Sequence, residues 1–144
     1  MISIMLDTNI IMDALQERQP FNVSAKEIMR KAQNGEIKCC FSANAATDIF
    51  YLYTKARNLQ SARSALDYLL KTYDVVSVTH EDCMNALYLP VDDFEDALVA
   101  ICAKKAGVNF IVTRDDKFSG NNLPVPAISP NELLEKLIRN NNNE

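Results

Sequence analysis

The chain has 144 residues, 48% of them hydrophobic, enough for one domain whose apolar core needs neither disulfides nor a structural metal. Its formal charge of -4 excludes a protein that grips nucleic acid through a broad basic face. No apolar run approaches the length of a membrane span and no basic leader precedes the first acid, so a cytoplasmic protein without a membrane association is expected.

In chain order, the first signal is the apolar run at residues 2–6, which reads as a strand ending on Asp7. A helical pattern over 24–34 stops at Asn34-Gly35, and a second strand follows at 37–41. Ser42 then caps a helix in which small residues at Ala45 and Ala46 permit close packing on a sheet. A third strand is expected at 75–78, a helix over 97–106 ending at Gly107, and further strands at 110–113 and 125–128. Ser129-Pro130-Asn131-Glu132 joins an N-cap serine, a proline at the first helical position and a capping-box glutamate. A last helix is therefore expected from Pro130 to about Ile138, closing a domain over 1–139, with 140–144 as a disordered tail.

Strands that alternate with helices and are apolar throughout predict an α/β fold: a single three-layer α/β/α domain around a central five-stranded parallel sheet. Functional groups in such sheets gather beyond the carboxyl ends of the strands. The three glycines, Gly35, Gly107 and Gly120, form no phosphate-cradling loop, so nucleotide binding of that kind is not expected. Four cysteines without a C-x-x-C pair and a lone histidine, His80, indicate no zinc site, and the thiols are read as reduced and mostly buried.

Charge is unevenly spread. Residues 74–103 hold seven acids and no Lys or Arg, whereas 18–38 and 55–71 are basic, five cations against two acids and four against one. The basic stretches are read as solvated helix faces.

The acids that end apolar elements are the candidates for chemistry, because a carboxylate there needs a partner. Asp7 leaves the first strand; its structural alternative is a helix cap bonding the amides of Asn9 or Ile10. Asp48 lies four residues after Asn44 in an otherwise apolar segment, with an exposed helix position as the alternative. Asp92-Asp93-Phe94-Glu95-Asp96 places four acids in five residues, more than capping requires, with Asp93 and Asp96 on one helix face continued by Ala100 and Ala103. Thr113-Arg114-Asp115-Asp116 follows a strand, where the Thr113 hydroxyl can orient a carboxylate or a water; a simple turn is the alternative. Together these positions predict at least three carboxylates meeting at one point without nitrogen or sulfur, a set that must share protons or bind cations and that suits Mg²⁺ or Mn²⁺. Phosphodiester hydrolysis is the chemistry such a site supports.

The order and spacing of these motifs resemble the PIN domains (PilT N-terminus), whose best-known bacterial members are VapC-type toxins of toxin-antitoxin pairs. Leu6-Asp7-Thr8-Asn9-Ile10-Ile11 is similar to the opening motif, Asp93-Phe94-Glu95-Asp96-Ala97-Leu98 to the third acidic motif, and Val112-Thr113-Arg114-Asp115 to the fourth. The resemblance implies a Mg²⁺- or Mn²⁺-dependent endoribonuclease acting on RNA, often a homodimer silenced by a small antitoxin protein. It implies Asp7, Asp96 and Asp115 as metal ligands, with Thr8, Asn9 and Thr113 orienting them or the water and Asp93 and Asp116 as neighbouring acids that share the load. The family's second acid is usually Glu; the best match here is Asp48, one methylene shorter, which acts directly or through water. A PIN-like module that binds RNA or protein without catalysis is the competing reading. A phosphotransferase with Asp7 as nucleophile is disfavoured, because such enzymes want a second Asp where Asn9 stands.

Overall fold

The computed structural model describes residues 1–116, 118 and 123–142. Gly120 and residues 143–144 of the expected tail, which figure in the sequence reading, lie outside them. Within the described residues, strand β1 (Ser3–Leu6) is followed by helices α1 (Thr8–Leu15) and α2 (Asn22–Gln33), then β2 (Lys38–Ser42), α3 (Ala43–Ala56), α4 (Leu59–Thr72) and β3 (Asp74–Val76). The second half comprises α5 (His80–Ala86), α6 (Phe94–Ala106), β4 (Phe110–Val112), β5 (Ala127–Ile128) and α7 (Pro130–Asn142). All five strands are parallel, in the order β3-β2-β1-β4-β5. The expected three-layer α/β/α architecture is the one observed.

Side chains alternate across a strand, so β1 feeds two cores. Ile4 and Leu6 point to a layer that includes Ile10 and Ile11 of α1, Ile28 of α2, Ile49 of α3 and Leu133 of α7. Met5 points the other way, onto Val99, Ala100 and Ala103 of α6. Ala100 and Ala103 are fully buried, so the small-residue face of α6 packs directly on the sheet. A third cluster, Ala86, Ala97 and Leu98, ties α5 to α6.

Several boundaries move. α6 begins at Phe94, three residues before the expected start, because Asp93 caps it, and it ends where Gly107 adopts a left-handed conformation (φ 71°) that an L side chain resists. Strands β3 and β5, which flank the sheet, are shorter than the apolar runs that announced them. α7 continues to Asn142, so residues 140–142 of the expected tail are helical. Helices α1, α4 and α5 were not resolved from the sequence as separate elements. All four cysteines are free, and Cys40 and Cys102 are buried. Among the described residues no helix is long and apolar enough to cross a membrane.

Candidate active site

β1, central in the sheet, ends at Leu6, and the backbone N–H of Asp7 donates to the Val112 carbonyl at 3.0 Å, extending the β1–β4 ladder by one residue. Asp7 therefore stands beside Thr113, the residue that follows β4. The Thr113 hydroxyl, 3% exposed, donates to Asp7 Oδ2 at 2.8 Å and accepts from the Asp115 backbone N–H at 3.1 Å. One buried hydroxyl thus fixes the Asp7 carboxylate and the turn that carries Asp115. Asp7 Oδ1 accepts from the Thr8 N–H at 2.8 Å, and Asn9 Nδ2 approaches both Asp7 Oδ2 (3.3 Å) and Thr113 Oγ1 (3.5 Å). Asp7 is both the cap of α1 and a member of the acid cluster. Its cap bond goes to Thr8 rather than to the amides of Asn9 or Ile10.

α6 delivers the next acids. Asp93 Oδ1 accepts from the Asp96 N–H at 3.1 Å, a helix cap that also sets Asp96 in the first turn, facing the sheet edge. Burial pushes the Asp96 carboxyl up to about 7, with Asp93, Asp7 and Asp115 adding repulsion in that order. Burial likewise raises Asp7, opposed by its bonds from Thr113 and Thr8 and reinforced by Asp115 and Asp93. Four acids from three separate segments therefore sense one another. Asp116 lies next to Asp115 on the exposed side of the turn.

Asp48 behaves differently. It is half-buried on α3, and burial raises its pKa with no acid of the cluster contributing. The structure places Asp48 one turn beyond Asn44 without drawing it into the mutual repulsion.

Three polar side chains at this edge carry buried atoms without a partner among the described residues: Asn9 Oδ1, Ser42 Oγ, and both amide atoms of Asn44. Ser42 holds the N-cap position of α3 but makes no side-chain cap bond. Because Met5 is paired with Cys40, Ser42 is level with Asp7 on the neighbouring strand. Buried polar atoms left unpaired are costly, so these positions call for water or a ligand. The donor set, all oxygen and amide, fits a hard hydrated divalent cation. Among the described residues no three His, Cys, Asp or Glu side chains already form a ligand cage.

The sequence reading missed Asp13 and Arg114. Asp13 is completely buried in α1, and Arg114 grips it with two bonds, Nε to Oδ2 at 2.7 Å and a terminal nitrogen to Oδ1 at 3.0 Å, while Arg18 stands 3.8 Å away. Arg114 also lies over the Phe21 ring, 4.0 Å from its centroid. An acid inside Ile10-Ile11-Met12-Asp13-Ala14-Leu15 was the available signal.

Comparison with known proteins decides the family: the PIN domain model matches residues 3–117. The chain belongs to the PIN domain family. Its PIN fold is similar to that of VapBC2 from Rickettsia felis, solved bound to a DNA fragment from its promoter (TM-score 0.69, 18% identity, covering 89% of this chain and 98% of that one). It is also similar to VapC20 of Mycobacterium tuberculosis, described as a sarcin-ricin loop cleaving toxin (TM-score 0.67, 18% identity, 80% and 92%). PAE2754 from Pyrobaculum aerophilum is a third such structure (TM-score 0.64, 15% identity, 96% and 96%). No curated protein matches by sequence.

Proposed function

We propose that this PIN domain is a divalent-metal-dependent endoribonuclease and the toxin of a toxin-antitoxin pair. The observation that carries the reading is the convergence of Asp7 and Asp115, which follow β1 and β4, with Asp93 and Asp96 at the start of α6, close enough for the other three to raise the protonation of Asp96. A cluster whose members repel one another in the bare protein is arranged for a cation. Asp7, Asp96 and Asp115 would hold Mg²⁺ or Mn²⁺, which supplies a Lewis acid for a phosphodiester and a nucleophilic water at neutral pH. Thr113 and Asn9 orient Asp7, Thr8 fixes it through the backbone, and Asp93 and Asp116 add negative charge around the ion. Asp48 acts through water from the α3 side. The similar structure that is a sarcin-ricin loop cleaving toxin supports RNA as the substrate, and those that are VapBC complexes support a small antitoxin partner. A homodimer in the cytoplasm is the assembly expected.

The test is cleavage of a mixed RNA pool by purified protein with Mg²⁺, with Mn²⁺ and with EDTA. Cleavage with either ion, none with EDTA, and none from correctly folded Asp7→Asn or Asp96→Asn is the expected pattern. Retained cleavage by Asp96→Asn sinks the site assignment. Failure of the wild type to cut any RNA or to bind either ion favours the non-catalytic module.

A further inference from the structure

Beside the acids opens a cleft of about 350 Å³ that is bounded by Thr113, Arg114 and Asp115 on one side and by Pro20, Phe21 and Pro130 on others. Its chemistry is specific. The Arg114 guanidinium lies over one face of the Phe21 ring, 4.0 Å from its centroid, and 44% of the Phe21 surface is still exposed. The charge of Arg114 is already committed to Asp13 through two bonds. The other charged groups lining the cleft are the carboxylates Asp115, Asp116 and Glu132. A flat, uncharged ring meets an aromatic face and a neutralised guanidinium, the surface on which bases of single-stranded nucleic acid stack. At the rim, Asn131 Oδ1 accepts from the Ser24 hydroxyl at 2.6 Å, which leaves the amide nitrogen to donate to a base edge.

We infer that this cleft is a nucleobase subsite: it takes the base of the nucleotide adjoining the scissile phosphate, stacked on the exposed surface of Phe21 that Arg114 backs, while the phosphate lies at the acids. Asp115 and Thr113 belong to both the acid cluster and the cleft wall, so one nucleotide spans the two. The inference rests on the ribonuclease reading for the placement of the phosphate, but its test is separable from that reading.

The probe is a short single-stranded RNA carrying 2-aminopurine at each position in turn, titrated onto the full-length Asp7→Asn variant so that no strand is consumed. Stacking quenches 2-aminopurine, and quenching at one position is expected. Adding Phe21→Ala should abolish the quench and weaken binding roughly tenfold, the order of one base-aromatic stack, while adding Phe21→Trp retains both. Phe21→Leu, which keeps the apolar bulk, serves if Phe21→Ala melts early, and it too should lose the quench. In the wild-type background Phe21→Leu should lower kcat/KM for RNA roughly tenfold and relax the base preference at one position. No quench at any position, or a quench that survives Phe21→Leu, overturns the subsite. Quenching by a protein whose wild type cuts no RNA leaves the subsite standing and removes the ribonuclease reading. Cleavage that is indifferent to Phe21→Leu removes the subsite alone.

Discussion

At the scale of single residues, the site turns on how Asp7 and Asp96 are held. Burial raises Asp7 but two donors oppose it, the Thr8 backbone N–H and the Thr113 hydroxyl, whereas Asp96 has burial and repulsion from three acids with no such donor against them. Thr113→Val keeps the shape and deletes both the donor to Asp7 and the acceptor for the Asp115 N–H. Loss of such an orienting group costs roughly 10- to 100-fold in metal affinity or activity, and Mn²⁺ titration by calorimetry is the measurement. Asp96 makes a second, independent prediction. Its carboxyl is raised from 3.8 to about 7, so the fold favours the protonated form. The associated stability is complete below about pH 4 and is lost as pH rises through about 7. Metal-free protein should therefore melt lower at pH 8 than at pH 5.5. Solvent screening of this partly exposed group limits the effect to about 1 kcal/mol, or roughly 3 °C. Asp96→Asn should flatten the profile over that interval; an unchanged slope in thermal melts contradicts the account of its burial and neighbours.

At the scale of elements, the turn after β4 is anchored to α1 by the Asp13–Arg114 pair. Removing Arg114 leaves a fully buried carboxylate with, among the described residues, only the more distant Arg18 as a cation partner, and breaking a buried pair in this way costs about 3–5 kcal/mol. Arg114→Ala should therefore lower the urea midpoint strongly. Asp13→Leu combined with Arg114→Leu should cost less than Arg114→Ala alone, because no charge is stranded. If the double variant is the less stable, the pair is contributing more than mutual compensation. This clasp was legible in principle. The reasoning that marked Asp48, a short acid in an apolar helix, applies with more force to Asp13, but local pattern does not reveal that a cation 101 residues away will meet it. Elements with strong end signals were read well: Gly35, Gly107 and the Ser129-Pro130 start act within a few residues and need no tertiary help. α1 was hidden because its apolar residues continue those of β1 across Asp7, and the flanking strands β3 and β5 shrank because the ladder, not the apolar run, sets strand length.

At the scale of the whole molecule, what positions the site is topology. Parallel strands put every carboxyl end on one edge, so Asp7 after β1 and Asp115 after β4 become neighbours although 108 residues separate them, and α6 adds Asp96 from above. That convergence follows from the alternation of strand and helix, and it was legible before any coordinate. The orphaned atoms of Ser42 and Asn44 were not, because their isolation depends on how α3 seats beside β1. The same convergence couples cation binding to the stability of the entire domain. An ion that binds only the folded chain stabilises it by about 2.7 kcal/mol at 100 times its dissociation constant, a rise of several degrees in melting temperature. At pH 8 Asp96 is ionised and the cluster at its most repulsive, so Mg²⁺ or Mn²⁺ both relieves strain and finds its ligand ready. At pH 5.5 the ion must first displace a proton, and the rise should be smaller. Asp7→Asn and Asp96→Asn should each lose most of the rise at pH 8. A rise of equal size in wild type and both variants would place the cation elsewhere on this acidic chain, and the carboxyl edge of the sheet would then not be its site.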